Sequence, residues 1–232
     1  METSLEKKRL ASQNTTSCRT RDPETLTGNS TLVMTLFESP PDNPLILLDH
    51  WLKEAHRMNI REPNAMSLTT VDAQNGFTPS SRFILLKGLT PVGITFGTSE
   101  TSQKGQNIKT HPVAAGNLYW RETLQQISFG GRVEKLSSSE SDLNFKDRTR
   151  EAKAVAIISQ QSAILRDEEE LTRQIYQFIE NENVEMTRPR GWHGYHLLFD
   201  WVEFWVGVKT RIHQRLRYDL VNGAWKLTRL QP

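Results

Sequence analysis

The sequence predicts a mainly β domain with inserted helices, an α+β chain, and three observations carry that prediction. From Pro63 onward the chain breaks into short β-like runs at regular spacing. Two Asn-Gly dipeptides, Asn75-Gly76 and Asn222-Gly223, separate such runs, and Asn-Gly favours tight hairpins because both residues tolerate positive φ. Helical spacing occurs in only a few stretches, inserted between strands rather than alternating with them, which argues for a β-barrel with added helices over a parallel α/β sheet.

Residues 1–40 are polar, rich in Ser, Thr and charge, and read as a flexible arm ahead of a domain over 41–232. Asn43-Pro44 supplies a cap and a first helical residue, after which Leu45, Leu48, Leu52 and Ala55 form an apolar stripe at helical spacing. AMSLTTV and SRFILLKG flank the first Asn-Gly turn, and GITFGT, VAAGNLYW and QQISFGGRVEKL continue the strand pattern. A helix, whole or broken, is expected from about Ser138 to Ile158. A second is expected from Asp167 to Asn181, with an acidic first turn and Leu171, Ile175 and Phe178 on one face. HGYHLLFDWVEFWVGV, a basic alternating run and AWKLTRL close the chain as strands.

The 29 Lys and Arg nearly balance the 27 Asp and Glu, a formal charge of +2, so anion binding must be local and a nucleic-acid partner held by bulk charge is not expected. The single cysteine, Cys18, rules out an internal disulfide framework and fits a reducing, cytoplasmic setting. No run reaches membrane-spanning length and the N-terminus has no signal-peptide core. Asn14-Thr15-Thr16 and Asn29-Ser30-Thr31 are read as chance matches to glycosylation acceptors. HExxH, CxxC, EF-hand, GxGxxG and GxSxG patterns are absent, and no metal site is expected.

Four stretches could carry chemistry. Lys209, Arg211, His213, Arg215 and Arg217 alternate, so a strand there would present one cationic face. That face either protects a sheet edge or binds a phosphate or carboxylate, for which the arginine fork is suited. Like charge around His213 would depress its pKa and favour a neutral ring. TSETSQKGQN, residues 98–107, is either a Ser/Thr-rich capping loop or a phosphate cradle before a short helix. Arg82 and Lys87 bracket an apolar strand, pointing to opposite faces or marking its two ends. SQQSAIL, residues 159–165, is either a turn or a set of neutral donors and acceptors for a heterocycle.

In this order, NAMSLTTV, SRFILLKG, the SQKG loop, SQQSAIL, WHGY, EFWVG with RIHQR and the terminal RLQP resemble the pyridoxamine (pyridoxine) 5′-phosphate oxidase family, from about Asn43 to Pro232. The resemblance implies an FMN-binding split β-barrel, a homodimer with FMN at the subunit interface and a C-terminal dimerisation segment. It implies oxidation of pyridoxamine or pyridoxine 5′-phosphate to pyridoxal 5′-phosphate, with oxygen as final acceptor. It assigns Arg82, Phe83, Ile84, Leu85, Thr98, Lys104, Gln126, Gln161, Ser162, Trp205 and Arg215 to FMN. Lys87, Arg148, Arg211 and His213 fall to the substrate, with Arg211 and His213 nearest the chemistry. Several positions depart from the family pattern: Gln103 for Arg, Ser128 and Gly130 for a charged pair, Asn144 for Tyr, Ala152 for Ser, His193 for Gly, Val206 for Gln and Gln214 for Asp. These departures motivate an alternative, a homologue that binds FMN or pyridoxal phosphate without turnover.

Overall fold

A computed structural model describes residues 35–232. Most of the expected arm, Cys18 and both acceptor triplets lie outside the described residues. The arm's last part holds a short helix, α1 (Thr35–Glu38). The first long helix, α2 (Pro44–Arg57), starts at the expected cap, where Asn43 Oδ1 accepts the Leu45 N–H at 2.9 Å. It buries Leu47 and Trp51 in addition to the expected stripe, and Trp51 packs edge-on to Phe204 at 5.0 Å.

The strands are β1 (Ala65–Asp72), β2 (Thr78–Leu85), β3 (Gly88–Thr90), β4 (Gly93–Ser99), β5 (Val113–Trp120), β6 (Gln125–Lys135), β7 (Trp192–Val206), β8 (Gln214–Val221) and β9 (Ala224–Arg229). They form one nine-stranded sheet in which every pairing is antiparallel. Both Asn-Gly dipeptides fall where expected, between β1 and β2 and between β8 and β9. The sheet closes on itself because β2 runs on into β3: β2 pairs with β1, β3 pairs with β4, and the Lys87 N–H bonds to the Thr95 carbonyl at 2.9 Å between them. The barrel then runs β1, β5, β6, β7, β4, and β8 and β9 extend the sheet from β7.

The fifteen-residue β7 is the hinge of this architecture. Its first half pairs with β4, its second half with β8, and residues 195–206 with β6. At Gly130–Gly131 the β6–β7 register shifts by one residue, leaving Asp200 as the extra residue of a bulge. Gly131 is required there, since a Cβ would lie 2.0 Å from the Leu198 carbonyl oxygen. The bulge changes which parity faces inward: Leu197 and Phe199 are buried before it, Val202 and Phe204 after it. Trp201, Glu203 and Trp205 therefore turn to the outer face, beside Arg215 and Arg217 of β8.

The helices are inserted as the sequence predicts. α3 (Gln103–Thr110) follows β4. The expected 138–158 helix is broken at Asp147–Thr149 into α4 (Ser138–Lys146) and α5 (Arg150–Ile158). The next, α6 (Glu168–Glu180), is capped by Asp167 and buries none of its residues fully; its last carbonyls, Ile179 and Asn181, accept from Arg150.

One expectation fails. Residues 207–213 are not strand: β7 ends at Val206, β8 starts at Gln214, and Arg211 lies in the connection at φ +67°. The alternating basic face survives only at Arg215 and Arg217, because the chain must turn to bring β8 back beside β7. Lys87 likewise lies beyond the end of β2, so the opposite-face reading of Arg82 and Lys87 does not apply.

Candidate functional site

The residues singled out in the sequence fall into three groups. The first surrounds the start of α3. Ser102 caps that helix through the Gly105 N–H at 3.2 Å, and Gly105 is needed because a Cβ would meet the Ser99 carbonyl oxygen at 2.3 Å. This close turn carries Lys104 inward, where only 6% of it is exposed; its Nζ donates to Thr98 Oγ1 at 3.2 Å. Arg82 reaches the same region from β2, donating to the Leu68 carbonyl, Thr70 Oγ1 and Ser80 Oγ at 2.7–3.2 Å. Burial, reinforced by the Arg82 charge, lowers the Lys104 pKa to about 8. Among the described residues no carboxylate lies within salt-bridge distance of either cation. A buried lysine beside a half-buried arginine, with no counter-charge among the described residues, is costly, and a bound anion would relieve that cost.

The SQQSAIL segment joins this group. Thr98 donates to Gln161 Oε1 at 3.3 Å, and the Gln103 N–H donates to Ser162 Oγ at 3.3 Å. Ser162 sits in a turn at φ +71°, which agrees with the turn reading of that segment. Phosphate-type anions need N–H and hydroxyl donors around a cation, and this group supplies them.

The second group lies on the outer face produced by the β7 bulge. Trp205 is opposite Gln126 on one side and Arg215 on the other. The His213 ring packs against Trp205 with centroids 4.8 Å apart. His213 Nδ1 accepts the Val208 N–H at 3.2 Å, which places a neutral ring's proton on Nε2. Its pKa is lowered, as expected, but burial is the larger cause and the Arg211 charge the smaller. Gln126 donates to Ser128 Oγ at 3.1 Å. On β2, Phe83 is 78% exposed and Leu85 also faces solvent, whereas Ile84 packs on the core.

The third group centres on Arg148, between α4 and α5. Its guanidinium stacks over Trp192 at 5.4 Å, donates Nη2 to the Ala152 carbonyl at 2.9 Å, and has its pKa lowered by burial. Arg148 Nε and Asn144 Nδ2 are buried without hydrogen-bond partners. Lys87 is exposed and apart from this group. Sequence reasoning did not single out Thr70, which accepts from Arg82, or Glu203, which pairs with Arg215. The signal for Glu203 was available: it is the lone acid in the apolar run WVEFWVG.

An antiparallel barrel with inserted helices, a buried lysine and a half-buried arginine that have no carboxylate partner among the described residues, and an aromatic, arginine-bearing outer face define a split-barrel protein. Residues 52–180 match the model described as pyridoxamine 5′-phosphate oxidase, and residues 192–232 match the pyridoxine 5′-phosphate oxidase C-terminal dimerisation region. The chain belongs to the pyridoxamine 5′-phosphate oxidase family. It is 38% identical over 191 residues to the pyridoxine/pyridoxamine 5′-phosphate oxidase of Mannheimia succiniciproducens, covering 82% of this chain and 90% of that one. It is 34% identical over 209 residues to the dihydrophenazinedicarboxylate synthase of Pseudomonas chlororaphis, covering 90% and 93%. The crystal structure of PhzG from Burkholderia lata 383, in complex with tetrahydrophenazine-1-carboxylic acid, superposes with a TM-score of 0.84 at 35% identity, covering 88% of this chain and all of that one.

No helix among the described residues is long and apolar enough to cross a membrane, and no group of three or more His, Cys, Asp or Glu among them could hold a metal.

Proposed function

We propose that this protein is an FMN-dependent oxidase, active as a homodimer, that uses oxygen to oxidise a reduced ring carrying a carboxylate. Bound FMN would accept a hydride from the substrate and pass two electrons to oxygen, giving hydrogen peroxide. The chain's own residues bind and orient. Arg82, Lys104 and Thr98, with the donors of Gln103, Gln161 and Ser162, fit the cofactor phosphate. Gln126, Trp205 and Arg215, with the exposed Phe83–Leu85 edge, fit its ring. His213, neutral and with its proton on Nε2, can donate a hydrogen bond to a substrate acceptor, and Arg211 beside it supplies charge. Arg148 anchors the substrate's acidic group. The homodimer is supported by the match of residues 192–232 to a dimerisation region.

The observation that carries the substrate class is at Arg148. Ala152 has no hydroxyl, and Asn144 turns its amide under Gly194, where an added Cβ would stand 2.8 Å from Nδ2. Ala152 cannot donate to a substrate phosphate as the Ser of the family pattern would, and Asn144, whose Nδ2 is buried without a partner, offers a shorter donor than the Tyr. The missing bond to a charged group is worth about 1.5–3 kcal/mol, so a phosphate monoester forgoes roughly 10–100-fold in affinity. A planar carboxylate needs only one guanidinium fork. This agrees with the carboxylated ring compounds in the name of one relative and in the complex of another.

A second reading, oxidation of pyridoxamine or pyridoxine 5′-phosphate, is favoured by the retained Lys87, Arg148, Arg211 and His213 and by relatives that carry that name. Oxygen uptake by the FMN-loaded protein separates the two. Faster uptake with a dihydrophenazine carboxylate than with pyridoxamine phosphate is expected, and the reverse order would establish the second reading. Tight FMN binding with no uptake on either substrate would leave a binding protein without turnover.

A further inference from the structure

Glu203 is the carboxylate of the outer face, with 14% of its side chain exposed. In the β7–β8 ladder it stands directly opposite Arg217, yet its close contacts run diagonally to Arg215. Arg215 donates Nε at 2.8 Å and Nη2 at 2.7 Å to the same carboxylate oxygen, whereas Arg217 Nη1 stays 3.8 Å from the other. The reason is local. Arg217 is drawn off by Asp219, 2.8 Å from its Nε, and by the Trp201 ring, 4.1 Å beneath its guanidinium. The C-terminus completes the arrangement: the Leu230 N–H bonds to the Arg215 carbonyl at 3.1 Å, and Arg215 Nη1 donates to the Gln231 carbonyl at 3.1 Å. Three of the five guanidinium donors are thereby taken, leaving one N–H on each terminal nitrogen.

The two cationic groups of the site thus differ in kind. Among the described residues Arg82 and Lys104 have no counter-charge, whereas Arg215 and Arg217 are balanced by Glu203 and Asp219. A neutralised, immobilised arginine is a poor anion trap but a well-oriented hydrogen-bond donor.

We propose that Glu203 is a positioning residue for the cofactor's ring: with the Gln231 carbonyl, it holds Arg215 so that its two remaining N–H groups meet a neutral ring acceptor and not the phosphate. The proposal rests on the FMN reading and makes a demand that a structural role alone does not. Loss of Glu203 must weaken binding of the ring, whether or not a phosphate is attached.

The test compares FMN with riboflavin, the same ring without phosphate, by flavin-fluorescence titration and by competition against FMN. Glu203→Gln is expected to raise the dissociation constants of both about tenfold. Lys104→Met should weaken FMN alone. In an Arg215→Lys background Glu203→Gln should add less than about twofold, since its effect passes through Arg215. Melting curves of the flavin-free proteins accompany each titration. If Glu203→Gln does not fold, Glu203→Asp, which keeps the charge but shortens its reach, should still weaken both flavins. Unchanged affinity in the folded variants, loss confined to FMN, or full additivity with Arg215→Lys would each overturn the proposal. Failure of the unaltered protein to bind either flavin would instead overturn the FMN reading.

Discussion

Replacing Lys104 by methionine, which keeps the length and removes the charge, should move stability and cofactor affinity in opposite directions. Burial and the neighbouring Arg82 bring the Lys104 pKa down from 10.5 to about 8, so keeping it charged at neutral pH costs the empty protein roughly 3 kcal/mol. Methionine removes that cost and forfeits the hydrogen bonds to Thr98 and Ser102, worth about 1 kcal/mol together. The flavin-free variant should therefore be more stable than the parent by about 2 kcal/mol at pH 7. The sign follows from proton counting: between pH 8 and 10.5 the unfolded chain holds a proton that the folded chain has released. Parent stability from this group consequently rises across that window, and the gap to the variant closes. FMN affinity should go the other way. Loss of a charge-assisted contact to phosphate weakens it by about 10–100-fold at pH 7. Parent affinity should fall above pH 8, by up to about tenfold per pH unit, while the variant's stays flat. Denaturant melts of the flavin-free proteins and fluorescence titrations from pH 6 to 10 read both quantities. A variant that is less stable than the parent at pH 7 and binds FMN equally well would refute the assignment of Lys104 to an anion.

Other perturbations test the remaining groups. Asn144→Tyr with Ala152→Ser should lower the KM for pyridoxamine phosphate by about 10–100-fold, as the phosphate donors of the family pattern return, and should change the carboxylate substrate far less. Gly97→Ala would place a Cβ 2.3 Å from the Trp192 ring, on which Arg148 stacks, so stability should fall by about 1–3 kcal/mol and substrate KM should rise more than kcat falls. His213 titrates below its ordinary 6.5, and protonation would remove the acceptor for the Val208 N–H. In the pH–rate profile kcat/KM should hold at pH 6.5 and decline on the acid side, a limb that His213→Asn should abolish.

Much of this architecture was legible in the sequence because its signals are local. Asn75-Gly76 and Asn222-Gly223 mark hairpins, Asn43-Pro44 and Asp167 mark helix starts, and chain chemistry alone accounts for each. The basic run from Lys209 to Arg217 misled because alternation is blind to a turn: the return of β8 along β7 consumes residues 207–213 and places Arg211 at positive φ. The inward and outward faces of β7 were also beyond pattern reading, since one extra residue at Asp200 inverts them. Lys104 was singled out because it lies in the recognisable SQKG loop. Glu203 was not, because it gains meaning only from cross-strand register.

Arg82 and Lys104, unbalanced among the described residues, and the balanced Arg215 are together proposed to hold FMN. Titration of the flavin-free protein into FMN, followed by flavin fluorescence at pH 7, tests that proposal most directly. Saturable quenching at one FMN per protomer is the predicted result; flavin emission that stays unquenched at protein concentrations in the tens of micromolar range would contradict it.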